Sequence, residues 1–135
     1  MTPRVAVVLS QLGFGGAERQ TAALLAALRG RPEEPRLVIC LSSDLEPHGP
    51  RLVELGYRLE VLPREGSFDL SRLLRLRRLL RHERIELVHA VHLLASGYAF
   101  LASWPGRRPI VLPSVRGAEA GPGALRRLVY RRMFR

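Results

Sequence analysis

Val5-Ala-Val-Val-Leu-Ser-Gln-Leu-Gly-Phe-Gly-Gly-Ala-Glu-Arg-Gln20 is the stretch that decides the fold. The unbroken apolar run Val5–Leu9 fits a strand covered on both faces better than one that alternates between core and water. Glycines at 13, 15 and 16 break it, and a helical stretch follows over Ala17–Leu28. A buried strand that turns at paired glycines into a helix leaves free backbone N–H groups aimed at one point. Such a point suits a phosphate or another anion. The glycines also have a purely steric reading, because tight turns favour residues without a Cβ. The dinucleotide fingerprint needs a third glycine further on, and a P-loop needs a following Gly-Lys-Ser/Thr; neither is present.

Outward from this junction, strand-like runs alternate with helix-like stretches. The expected strands are Val5–Ser10, Leu37–Ser42, Arg58–Leu62, Leu87–His89 and Ile110–Ser114, and the expected helices are Ala17–Leu28, Pro50–Leu55, Ser71–Glu83, Leu94–Ser103 and Gly123–Arg135. Asp69 or Ser71 is placed to cap the third helix. Repeated strand–helix units with short connections predict an α/β fold, a doubly wound parallel sheet of about five strands in three layers. The length of 135 residues fits one compact domain with a real core. The end, Leu125–Arg135, reads as an amphipathic helix with no stop signal, so the expectation is one half of something longer.

Composition sets outer bounds. No apolar run approaches the roughly 18–20 residues of a membrane span. Met1-Thr-Pro-Arg4 lacks the features of a signal peptide, and Cys40, the single cysteine, has no disulfide partner in the chain. A reducing cytoplasm is the expected compartment. Cys40 lies within Leu37-Val-Ile-Cys-Leu41 and reads as a buried packing residue. The formal net charge is +10, but all 22 basic residues are arginine and there is no lysine or asparagine. That bias reads as codon usage and does not by itself argue for a nucleic-acid partner.

Three blocks, in this order, resemble family 4 of the retaining glycosyltransferases, which have the two-domain GT-B fold. They are Gly15-Gly-Ala-Glu-Arg-Gln20 after the first strand; Arg84-Ile-Glu-Leu-Val-His-Ala90 with Ala95-Ser-Gly-Tyr98; and Pro109-Ile-Val-Leu-Pro-Ser-Val-Arg-Gly117. The resemblance implies that residues 1–135 are an N-terminal, acceptor-side Rossmann-like domain, one half of a GT-B architecture. It further implies transfer of a sugar from a nucleotide-sugar donor to a glycan or lipid-linked acceptor. The lobe that holds most of the donor, with its paired glutamates, would be a separate C-terminal domain, and the fragment alone would be inactive. Gly15 and Gly16 would offer amides to the donor diphosphate, with Gly13 and Glu18 supporting the loop. Many members of the family carry a histidine just after the fifth strand. Here Arg116 takes that place; arginine stays protonated and cannot act as a base, but it can bind an anion. The alternative reading is a Rossmann-like module that binds a nucleotide or phosphosugar without catalysis.

The remaining candidates are weaker. His89 is expected to end the fourth strand at the mouth of the cleft, with His92 three residues on, as acceptor contacts; no third ligand is near enough in sequence for a metal site. No cofactor is expected. His48 and His82 read as solvated, and Trp104 as a cap on the sheet edge. Over Asp69–Arg84, leucines at 70, 73, 74, 76, 79 and 80 read as the packed face and six arginines as the wet one. The arginine face has a sharper second reading, peripheral docking on anionic lipid.

Overall fold

The computed structural model describes residues 2–63, 69–114 and 131. Five strands form one parallel sheet: β1 (Val5–Leu9), β2 (Leu37–Cys40), β3 (Leu59–Val61), β4 (Leu87–Val91) and β5 (Ile110–Ser114), in the order β3-β2-β1-β4-β5. Four helices join them: α1 (Gly16–Leu28), α2 (His48–Glu54), α3 (Leu70–His82) and α4 (Leu93–Ser103). This is the expected Rossmann-like α/β fold. The expected helix over Gly123–Arg135 lies outside the described residues apart from Arg131.

Side-chain alternation along the strands builds two cores. Ala6, Val8, Leu37, Ile39, Val88 and Ala90 pack under α3 and α4, against Leu76, Leu80, Ala95, Ala99 and Ala102. Val7, Leu9, Val38, Cys40 and Val91 face the other way, against Leu25 of α1 and Leu52 of α2. Burying a leucine or isoleucine of this kind contributes about 1.5–3 kcal/mol each. Chain direction explains the layering. From β1 the chain steps outward to β3 with helices on one face, then returns to β4 and steps to β5 with helices on the other, as crossovers of a single hand require. Cys40 is fully buried in the second core, in keeping with its reading as a packing residue.

Several details differ from the expectation. β4 runs two residues past His89, because Ala90 and Val91 each pair with β1, opposite Val8 and Leu9. The leucine–arginine division of α3 also fails at one end. Arg72 is 2% exposed, whereas Leu70 and Leu74 are 55% and 41% exposed. The buried stripe runs Arg72, Leu76, Leu80, a strict four-residue spacing that gives the arginine a core position in the first turn. Its guanidinium donates from Nη1 to the Leu41 carbonyl at 2.7 Å and stacks over Tyr98. Asp69 caps the same helix, its Oδ1 accepting from the Arg72 backbone N–H at 3.0 Å. Trp104 stands beside the edge strand but remains 61% exposed, lining a groove of about 170 Å³ with Phe100, Pro109, Val111 and Pro113. His82 is exposed, and His48 opens α2 half-buried.

Candidate functional site

The order β3-β2-β1-β4-β5 reverses direction between β1 and β4, and in open parallel sheets a crevice forms outside the carboxyl ends of the strands at that point. Two helices begin there, α1 from the β1 side and α4 from the β4 side. The glycine stretch fills the first connection. Gly15 is the N-cap of α1, in extended conformation and with no side chain capping the helix. Its carbonyl accepts the first helical bond, from Arg19 N at 3.0 Å. The first-turn N–H groups therefore have no intrahelical acceptor and lie at the positive end of the helix dipole.

The three glycines have unlike surroundings. A Cβ on Gly16 would meet nothing within 4 Å, and both Gly15 and Gly16 are exposed. A Cβ on Gly15 would collide with the carboxylate of Glu18, and one on Gly13 with that of Asp44. Gly13 is buried, held by the β2–α2 connection, where the Asp44 carbonyl accepts from Leu12 N at 3.0 Å. Glu18 is buried and Asp44 is exposed, so steric need accounts for Gly15, whereas the Asp44 carboxylate is free to turn away from Gly13. Steric need does not account for Gly16.

Glu18 folds beneath the loop and is 3% exposed. Its Oε1 accepts from Gln11 Nε2 at 3.3 Å and lies 3.4 Å from His92 Nε2. His92 is the N-cap of α4 and holds φ at 74°, a conformation that side-chain-bearing residues adopt at a cost of about 1–3 kcal/mol. Its carbonyl accepts from both the backbone N–H and the hydroxyl of Ser96, at 3.0 and 2.7 Å. Ser10, just past β1, accepts from the Ala95 N–H at 3.3 Å. The β1–α1 and β4–α4 connections are stitched together by these contacts, so the loop rests on the start of α4.

Of the residues singled out from sequence, the structure brings Gly15, Gly16, Glu18 and His92 together. His89 is elsewhere: it sits mid-strand, in register with Val7 and Leu112, two residues short of the strand's end. The expectation that it ends the strand at the cleft mouth is corrected by the longer β4. Arg116 lies outside the described residues. Among the described residues no group of three or more His, Cys, Asp and Glu stands close enough to hold a metal ion.

Sequence reasoning missed three features. Gln11 braces Glu18, and nothing in its spacing advertises that. Phe14, within the glycine stretch, is 88% exposed. The Glu18–His92 pairing joins residues far apart in sequence and becomes readable only once β4 is known to lie beside β1.

A doubly wound parallel sheet with a glycine turn at its reversal point defines the class as a Rossmann-like α/β domain. Within that class the chain belongs to glycosyltransferase family 4, whose family model matches residues 14–114. No curated protein matches the chain. No helix among the described residues is long and apolar enough to cross a membrane.

Proposed function

We propose that this glycosyltransferase family 4 domain is the acceptor-side half of a retaining enzyme and that its glycine turn receives the diphosphate of a nucleotide-sugar donor. The observation that carries the reading is Gly16: open space where a side chain would stand, at an uncapped helix N-terminus on the sheet's reversal point. Backbone amides of Gly15 and Gly16 then face the leaving phosphate as its charge grows, an electrostatic contribution to bond cleavage. Glu18, braced by Gln11 and His92, sets the turn and takes no part in chemistry. The acceptor, a glycan or lipid-linked sugar, approaches from the β4–α4 side, where His92 begins the helix. Donor contacts beyond the diphosphate belong to a second lobe, so the 135-residue chain by itself transfers no sugar.

Calorimetric titration of the chain with nucleoside diphosphates tests this directly. Binding that is measurable for the native chain and at least tenfold weaker in Gly16→Leu is the expected result. Equal affinity in the two proteins overturns the assignment.

A further inference from the structure

The seam between α3 and α4 carries a cation with which no carboxylate among the described residues forms an ion pair. Arg72 is almost fully buried; Nη1 reaches the Leu41 carbonyl, and the guanidinium carbon lies 4.3 Å over the Tyr98 ring. Its Nε is buried with no hydrogen-bond partner. Nε and Nη2 of Arg75 are in the same condition. Residues three apart on a helix share a face, so the two guanidinium groups belong to one side of α3. Arg75 is only half-buried and gives that side a route to solvent.

Among the described residues the nearest carboxylate is that of Asp69, at the start of the same helix. Among the described residues no carboxylate is within ion-pair distance of either guanidinium. Asp69, itself buried, turns its carboxylate to the Arg72 backbone N–H as the helix cap. From Leu70 to His82, α3 has no acidic residue at all. A carbonyl and an aromatic face are dipoles and quadrupoles, and a buried charge held by these alone is costly. Buried N–H groups in folded proteins almost always find acceptors.

We propose that Arg72 and Arg75 bind a phosphate-type oxyanion between α3 and α4, a site separate from the glycine turn and on the opposite face of the sheet. The orphaned donors number three, and the planar guanidinium fork matches paired oxygen atoms in a way an ammonium group does not. Arg72 lies in the first turn of α3 and bonds to the residue just past β2, so the site lies towards the carboxyl edge of the sheet. The same phosphate chemistry is offered by a free phosphate ester or by a lipid headgroup.

The probe is inorganic phosphate, titrated into the 135-residue chain at constant ionic strength, with thermal midpoint and the Nε–H resonances of arginine as readouts. The expected result is saturable stabilisation with a shifted Nε–H signal, retained in Gly16→Leu and at least tenfold weaker in Arg75→Gln. Arg72→Met supplies a second arm: without phosphate it matches or exceeds the native midpoint, and with phosphate the native chain overtakes it. Stabilisation untouched by Arg75→Gln, or abolished by Gly16→Leu, overturns the proposal. So does an Arg72→Met chain that is less stable by the same margin with and without phosphate, because the carbonyl and Tyr98 then suffice. Phosphatidic acid vesicles that displace phosphate, where phosphatidylcholine vesicles do not, assign the site to a headgroup; absence of displacement assigns it to a free phosphate ester.

Discussion

Gly15 and Gly16 are adjacent in sequence and opposite in what they tolerate. At Gly15 an added methyl group runs into the Glu18 carboxylate, which Gln11 and His92 hold in place. Gly15→Ala is therefore expected to lose about 1–3 kcal/mol of stability, the usual cost of overpacking. Gly16→Leu, with open space ahead of it, is expected to unfold at the native denaturant concentration or slightly above, since removing a helical glycine gains up to about 1 kcal/mol. Urea unfolding of both variants checks the contrast, and a strongly destabilised Gly16→Leu would deny the open space. The Glu18–His92 pair gives a second test. His92→Ala removes one of two side-chain contacts from a carboxylate that is 3% exposed, leaving Gln11, and is expected to cost about 1–3 kcal/mol. In Glu18→Gln the shape is kept and the charge removed, so the loss from a subsequent His92→Ala falls well below the loss in the native background. A double-mutant cycle in urea measures that coupling, and full additivity would show that the two side chains do not interact.

At the scale of elements, α3 shows what patterning reveals and what it hides. The cap was legible to within two candidates, Asp69 or Ser71, because both residue types favour helix N-caps, and the structure gives it to Asp69. Asp69→Ala is expected to cost about 1 kcal/mol in thermal or urea unfolding, with Ser71→Ala near neutral, since Asp69 alone is the N-cap. The helix's leucines announced a packed side, but a heptad with leucine at almost every apolar turn leaves the centre of that side undefined. Arg72 entered the stripe with Leu76 and Leu80 because Leu41 and Tyr98 offered it an acceptor and a ring. Those partners come from β2 and α4, which no window along α3 can contain. The same reason explains β4. Its sequence shows an apolar run broken by His89, and only pairing with Val8 and Leu9 extends the strand through Ala90 and Val91. The glycine turn, by contrast, was legible because its glycines, strand and helix lie within one short segment. Its support by His92 was not, being a consequence of strand order.

For the molecule as a whole, two groups in the core of the α1–α2 face tie stability to alkaline pH. Burial pushes the Cys40 thiol above its ordinary value of 9.0, opposed by a backbone hydrogen bond at Ser42 and reinforced by the Asp44 charge. Burial also raises the Tyr57 phenol above 10.0, opposed by Arg29, whose guanidinium carbon lies 5.4 Å from the ring centroid. The phenol donates to the Leu25 carbonyl at 2.6 Å, a bond the phenolate cannot make. Both groups hold their protons more tightly folded than unfolded. Their contribution to stability is therefore fully present below the unfolded values and falls as pH rises, because the unfolded chain releases protons first. Urea midpoints are expected to show no loss from these two groups up to about pH 8, then a decline as the thiol and afterwards the phenol of the unfolded chain ionise. Cys40→Val, which keeps an apolar side chain of similar size, removes the first phase and delays the decline until about pH 9, and Tyr57→Phe removes the second. The sign is the decisive part. A midpoint that rises between about pH 9 and 10.5 would mean that the thiol and phenol ionise more readily folded than unfolded, so that a neighbouring positive charge, and not burial, would govern them.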